Sequence, residues 1–164
     1  MTRARRLLWD RRGSAATEMA LVLPIMLILI FGSVEVGNYF MSEHVVDKAV
    51  RDAARYAARL PVTAFNCGSG TMGDPTPVQR LARTGQPDGT TARLVDWTSD
   101  GMTTVSVTCD TSGTYTGIYT DFPMGVLVVT VRAAVPYTTV LGAIGLSSTS
   151  LTLNAESQAA VIGV

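Results

Sequence analysis

Hydrophobic and polar positions divide the chain into stretches of different period, and the first is an uncharged apolar run. Met19 to Val34 contains no charged residue, and as an α-helix it would be roughly 24 Å long. Extended back to Ser14, the helix reaches about 31 Å, which matches the roughly 30 Å hydrocarbon core of a membrane. The pattern therefore predicts a transmembrane helix over residues 14–34, whose anchoring side chains are expected to include Met19, Leu21, Pro24, Ile28 and Phe31.

One acidic residue, Glu18, lies at or inside the membrane boundary of this predicted helix. An ionisable group in that position is energetically costly and usually has a specific partner. The simpler explanation of Glu18 at this position is the helix dipole, which favours a negative charge in the first turn of a helix.

Beyond Val34 the apolar residues recur at spacings of three and four, which predicts an amphipathic helix over residues 35–60 that continues the anchor. Pro61 is expected to end it. A single helix from Ser14 to about Leu60 would be roughly 70 Å long. Its apolar stripe should pack against a globular domain, and consists of Val36, Tyr39, Phe40, Val46, Ala49, Val50, Ala53, Ala57 and Leu60.

The rest of the chain, residues 61–164, predicts a β-rich domain. Residues 61–91 are rich in Gly, Pro, Thr and Ser and indicate loop, with one or two helical turns at Val78 to Arg83 and turns at Gly68 to Asp74. Period-two alternation then predicts strands, namely Arg93–Trp97, Met102–Cys109, Gly125–Val135 and Ser148–Ile162. The expected fold class is α+β, with a long N-terminal helix packed against a small antiparallel meander.

The inward-facing residues expected on the last three strands also follow from this alternation. They are Val105, Val107 and Cys109 on one strand, Leu127, Val129, Val131, Ala133 and Val135 on the next, and Leu151, Leu153 and Ala155 on the last. The apolar loop over residues 136–147 carries no charge. It is expected either on the outer membrane leaflet or a neighbouring subunit, or as a short helix buried under the sheet.

The formal net charge of zero hides an asymmetry along the chain. Residues 1–13 hold five arginines and one acid, so the chain without them would carry a charge near −4. A basic leader predicts a cytoplasmic N-terminus, with everything after Val34 outside. The acidic remainder argues against nucleic-acid binding, which needs a basic face.

A cleaved secretory signal peptide is the alternative explanation of the apolar run. Residues 32–37 offer no Ala-x-Ala site, and the helical periodicity continues through this point, so cleavage there is not expected.

Two cysteines, Cys67 and Cys109, follow the predicted span. In an oxidising periplasm an even pair indicates a disulfide, and two unrelated buried thiols are the alternative. The single histidine, His44, lies in a charged helical stretch, is expected at the surface, and cannot build a multi-histidine metal site. No catalytic constellation or cofactor motif is present, so neither an enzyme nor a small-molecule substrate is predicted.

The stretch RRGSAATEMALVLP, which begins at Arg11, resembles the N-terminal signature of type IV pilins and, more closely, of TadE-like minor pseudopilins. In such proteins a prepilin peptidase cuts after a glycine, and a glutamate stands fifth in the mature chain. The matching residues are Gly13, Ser14 as the new N-terminus, and Glu18. Many members have Phe where this chain has Met19, a mild departure. The resemblance is sharp over about a fifth of the chain.

The resemblance implies a minor pseudopilin used in assembly of a tight-adherence pilus, in which Glu18 pairs with the N-terminal amine of an adjacent subunit. Its expected partners are inner-membrane lipid, the prepilin peptidase, other pilin or pseudopilin subunits and the assembly machinery. The expected location is the inner membrane, with the domain in the periplasm and incorporation into an extracellular pilus left open. The alternatives are an uncleaved single-span protein with a periplasmic binding domain, and a pseudopilin of a type II-like secretion system.

Overall fold

The computed structural model of this protein describes residues 14–113, 115, 117, 125–144 and 151–163. Its internal contacts divide the chain into two units, Met1–Asn38 and Tyr39–Val164. The expected leader over residues 1–13 lies outside the described residues. The observed elements are a long helix, a short helix, a two-stranded hairpin and a three-stranded sheet, so the predicted α+β class is confirmed.

The long helix, α1, spans Ser14–Ala57 and continues through Pro24. It ends three residues before the predicted Leu60. There the backbone N–H groups of Arg59 and Leu60 bond to carbonyls three residues back, those of Tyr56 and Ala57. Such tighter bonds commonly close a helix at its C-terminus.

The predicted stripe is confirmed over the second part of α1 and is wrong at two positions nearer its start. Val46, Ala49, Val50, Ala53 and Ala57 are fully buried, whereas Val36 and Phe40 are each 54% exposed. Between them Tyr39 packs edge-to-face on Tyr137, with ring centroids 5.2 Å apart. A spacing of three or four identifies a face of the helix, but packing against the rest of the domain decides where burial on that face begins.

The domain's sheet is an antiparallel meander of β3 (Thr103–Asp110), β4 (Val126–Pro136) and β5 (Thr152–Ala160), in the spatial order β3-β4-β5. Its register pairs Val107 with Val129, and Val131 with Ser157. The inward alternation predicted for β4 is confirmed, since its five predicted core residues are all buried.

The last strand differs from the prediction at its start. Leu153 is buried, but Leu151 precedes β5 and is 41% exposed, so its predicted inward position is wrong. The Leu151 carbonyl accepts a hydrogen bond from the Tyr137 N–H. Residues 145–150, the start of the predicted strand among them, lie outside the described part of the chain.

The stretch predicted mostly as loop holds more regular structure than its composition suggests. A hairpin of β1 (Phe65–Asn66) and β2 (Thr71–Met72) occupies the region of the predicted turns. The short helix, α2, spans Thr76–Thr84 and ends at Gly85, whose φ of 90° suits the left-handed position at a helix end.

The predicted strand Arg93–Trp97 is wrong. The segment forms turns, in which the Trp97 N–H bonds back to the Leu94 carbonyl and the Arg93 N–H bonds to the Arg83 carbonyl. Trp97 is fully buried whereas Val95 is 88% exposed. A strand would place these two residues on the same face, and burial of the tryptophan in the core decides against that arrangement.

The apolar loop after β4 contains a 3₁₀ helix over Val140–Ile144. Tyr137 and Thr139 are buried, Val140 is half exposed and Leu141 is partly buried, so the described side chains of this segment are covered only in part. A role against lipid or a neighbouring subunit stays a prediction.

Cys67 and Cys109 form the predicted disulfide, with their Cα atoms 5.6 Å apart. Cys67 follows β1, and Cys109 lies in β3, so the bond ties the hairpin region to the sheet across 42 residues of sequence.

Replacing both cysteines, Cys67→Ser with Cys109→Ser, should lower the free energy of unfolding by about 4 kcal/mol, because the crosslink restricts the unfolded chain. Denaturant unfolding of the full chain in detergent, followed by the fluorescence of buried Trp97 in a Trp9→Phe background, measures the change. Reducing agent should lower the stability of the cysteine-containing protein equally and leave the double variant unaffected. A loss below about 1 kcal/mol would contradict this role.

Candidate assembly segment

The first part of α1 presents apolar side chains that nothing in the described chain covers. The anchoring residues expected from the sequence, Met19, Leu21, Ile28 and Phe31, are between 45% and 74% exposed. Pro24 lies inside the same part of the helix. Side chains of this kind, exposed in one continuous run, need lipid or the apolar surfaces of other helices around them.

The length and composition of α1 are sufficient for it to cross a membrane. Its most apolar 18-residue window has a mean hydropathy of 2.4 and is not buried against other parts of the protein. A soluble core helix with such a composition would be covered by its own domain. The observed exposure therefore favours a membrane-anchoring segment, as the sequence predicted.

The residues expected to carry processing and pairing lie at the start of this helix. Ser14 is the first residue of α1, and Gly13 lies outside the described residues. Glu18 is exposed and comes one turn later, about 6 Å along the helix axis from Ser14.

Because the first turn of α1 contains no acidic residue, Glu18 lies just beyond the region in which the helix dipole acts most strongly. The dipole therefore accounts for less of its presence than the sequence suggested. A carboxyl group beside so apolar a stretch would be costly in a membrane and usually has a specific partner.

Several acids of the domain are engaged in local structure. Asp100 receives hydrogen bonds from Arg83 at 2.6 Å and Arg80 at 3.4 Å. Asp96 accepts hydrogen bonds from the backbone N–H and the hydroxyl of Thr138. Within the described ranges no three His, Cys, Asp or Glu side chains are grouped as metal ligands, and His44 is exposed, as predicted.

Two further carboxyl groups stabilise turns. Hydrogen bonds from the Ser112 hydroxyl and backbone N–H hold the pKa of Asp110 below its ordinary value. Thr76 likewise lowers the pKa of Asp74 by hydrogen bonding at the start of α2. These groups serve the fold of the domain.

Comparison with known protein families bears on the helix. Residues 13–55 match the family model described as TadE-like protein. The TadE-like match starts at Gly13 and includes Glu18, the whole apolar run and most of the amphipathic part of α1. It covers about a quarter of the chain. No curated protein and no solved structure is significantly similar to this chain.

The TadE-like segment confirms the resemblance that the N-terminal residues indicated, and it supports a part in a pilus system. The β-domain that follows lies outside the match. Its structure therefore has to be interpreted from its own contacts.

Sequence reasoning missed one feature of that domain, an open groove of about 530 Å³ lined by residues of α1 and β5. Phe40 was assigned to the buried stripe, yet it lines this groove and is exposed. The regular alternation of β5, free of Gly and Pro, was the available signal that a long unprotected strand lies near the end of the chain.

The carboxyl of Asp110 should titrate below its ordinary pKa in the folded domain. Ser112→Ala should raise that pKa, because the Ser112 hydroxyl is the largest cause of the lowering, ahead of the Ser112 backbone N–H and the Tyr115 hydroxyl. A depressed folded pKa contributes stability above the unfolded pKa, and this stability disappears as the pH falls through the folded value. Carbon NMR of the Asp110 carboxyl over an acid titration measures its pKa in the unmodified protein and in the Ser112→Ala variant. The Asp74 carboxyl, held by Thr76, should not respond to Ser112→Ala, and an unchanged Asp110 would contradict the assignment.

Proposed function

We propose that this chain is a minor pseudopilin of a tight-adherence pilus, made as a prepilin and cut after Gly13. The observation that carries the proposal is the TadE-like match, which begins at Gly13 and runs through the exposed apolar part of α1. A cut at this glycine would make Ser14, the first residue of the helix, the new N-terminus.

In this proposal the apolar part of α1 has two environments. It lies in the inner membrane, with the N-terminus cytoplasmic and the domain periplasmic, until the subunit joins others through the same apolar surface. The free amine of Ser14 is charged near neutral pH. In a medium of low dielectric constant it attracts the carboxylate of Glu18 strongly.

That attraction acts between neighbouring subunits and sets their register, while the apolar side chains around it exclude water. The protein then works by assembly and not by turnover of a substrate. Its partners are the prepilin peptidase, other pilin-like subunits and the pilus assembly machinery.

In cells that carry the prepilin peptidase, the intact mass of the membrane-extracted protein should correspond to a product beginning at Ser14. Gly13→Ala should leave the chain at full length, because the peptidase requires glycine before the cut. Gly32→Ala is the matched control, since a Cβ at Gly32 meets no atom within 4 Å; it should be processed normally. A full-length mass for the unmodified protein would identify an uncleaved single-span protein instead.

Glu18→Gln should be cleaved normally but incorporated into pilus complexes at least tenfold less, because the neutral amide cannot replace an ion pair in lipid. Co-purification of the processed chain with other pilus subunits measures incorporation. Glu35→Gln removes the same charge from α1 beyond the apolar run and should assemble normally. Equal incorporation of the Glu18 variant would remove subunit pairing from the role of this residue.

A further inference from the structure

The strand β5 forms one edge of the three-stranded sheet, and its free side is unusually regular. It is nine residues long with no proline, glycine or lysine, although natural edge strands commonly carry such residues, or bulges, that prevent further pairing. Its single charged residue, Glu156, is paired with Arg132 of β4. The edge therefore lacks the usual protection against addition of another strand.

The register shows which backbone groups of β5 point away from β4. Tyr137 N–H bonds to the carbonyl of Leu151, and Val161 N–H bonds to the carbonyl of Leu127. Antiparallel pairs alternate between bonded and non-bonded, so the odd-numbered residues of β5 exchange their hydrogen bonds with β4. The even-numbered residues present theirs to the free edge.

Both ends of this edge are closed, and the middle is open. At one end the Asn154 side chain donates to the Thr152 carbonyl, at 3.1 Å. Beyond the other end, Ile162 N–H bonds to the Ala58 carbonyl of the turn after α1. Between them, the outward N–H groups of Asn154, Glu156 and Gln158 have no partner within the described chain.

The opposite edge of the same sheet, formed by β3, makes hydrogen bonds to other parts of the domain. The outward N–H of Val107 on β3 donates to the Gly70 carbonyl at 2.9 Å. The Thr103 carbonyl accepts from the Gln79 side chain at 2.8 Å. The hairpin region and α2 therefore cover β3, whereas no described segment pairs with the middle of the β5 edge.

Beside the open edge lies the groove of about 530 Å³, which is lined by Phe40, Glu43, His44, Asp47, Asn154, Ala155 and Glu156. Phe40 and Ala155 give it an apolar part. Asp47 is paired with Arg51, and Glu156 with Arg132. Glu43 forms no ion pair within the described chain, so the groove keeps an unneutralised carboxylate.

We propose that β5 and this groove form a docking site for an extended segment of a partner chain that adds as a fourth strand. Backbone hydrogen bonds to Asn154, Glu156 and Gln158 would give affinity, and the side chains that enter the groove would give specificity. Phe40 and Glu43 line the same groove, so complementarity requires an apolar and a basic residue two positions apart in that segment, because residues i and i+2 of a strand share a face.

A second copy of this chain fits the site less well. Because β3 is covered, the strand available for pairing in another copy is its own β5, which carries Glu156 and no basic residue. Two such edges would bring no basic side chain to Glu43 and would leave it unneutralised. The site therefore favours a different, basic partner, and the inference does not depend on cleavage at Gly13.

The test uses the full chain in nanodiscs of zwitterionic lipid and a fluorescent seven-residue peptide, Thr-Val-Thr-Lys-Thr-Val-Thr, whose valines and lysine share one face when it is extended. The peptide should bind, shown by anisotropy, and should shift the NMR amide signals of Asn154, Glu156 and Gln158. A peptide of identical sequence with N-methylated backbone keeps the charge but cannot pair as a strand, and it should not bind. Empty nanodiscs measure any attraction to lipid.

Three variants locate the binding. Gln158→Pro removes an outward N–H without touching the bonds to β4, as proline is tolerated at a strand edge, and should weaken binding at least about fivefold. Glu43→Gln should weaken it about threefold. Asp88→Asn, in a distant loop, should have no effect. If Gln158→Pro fails to fold by Trp97 fluorescence, Glu43→Gln and the amide shifts decide.

Absence of binding, or binding unaffected by both Gln158→Pro and Glu43→Gln, would overturn the proposal. Sedimentation of the unmodified chain tests the other occupant. A concentration-dependent dimer that Gln158→Pro abolishes would assign the edge to a second copy, and would overturn the basic partner.

Discussion

Burial of small and β-branched side chains in one shared core is the constraint on which the domain depends. The second part of α1 contributes alanines and valines, and β4 contributes a row of alternate inward residues, all of them fully or almost fully buried. A helix buries side chains with a period of about 3.6 residues and a strand with a period of two. Each element leaves a polar face outside this core, and those outer faces carry the features that remain available for partners.

The two parts of α1 have surfaces suited to different surroundings. From Val46 onward the helix alternates between buried alanine or valine and exposed charged residues such as Lys48, Arg51 and Arg55. From Met19 to Phe31 its large apolar side chains are all exposed. Such a surface is stable in lipid or against other apolar helices. The TadE-like match over residues 13–55 includes both parts, which links the anchor to the helix that supports the domain.

One edge of the domain's sheet, β3, is covered by other elements, and no described element pairs with the middle of the other edge, β5. The disulfide, the hairpin and α2 all act on the β3 side of the sheet. On the β5 side, the Asn154 side chain and the N–H of Ile162 close only the two ends of the edge. In this arrangement the domain can be held rigidly while one strand keeps its hydrogen-bonding groups available. The carboxylate of Glu43 and the ring of Phe40 lie beside that strand, and they favour a partner with basic and apolar side chains.

Local pattern alone determined the features that depend on a single segment. The apolar run needs lipid or other apolar helices around it, the buried row of β4 follows from strict alternation, and the signature around Gly13 and Glu18 is contiguous. Tertiary structure decided the rest. Trp97 turned a predicted strand into turns because its ring is buried in the core. Phe40 is exposed because no element of the described chain covers it. The disulfide between Cys67 and Cys109 was predicted from the pair of cysteines, and its formation depends on the approach of the β1 region to β3. The openness of β5 depends on which strand lies beside which, and the alternation within one strand contains no such information.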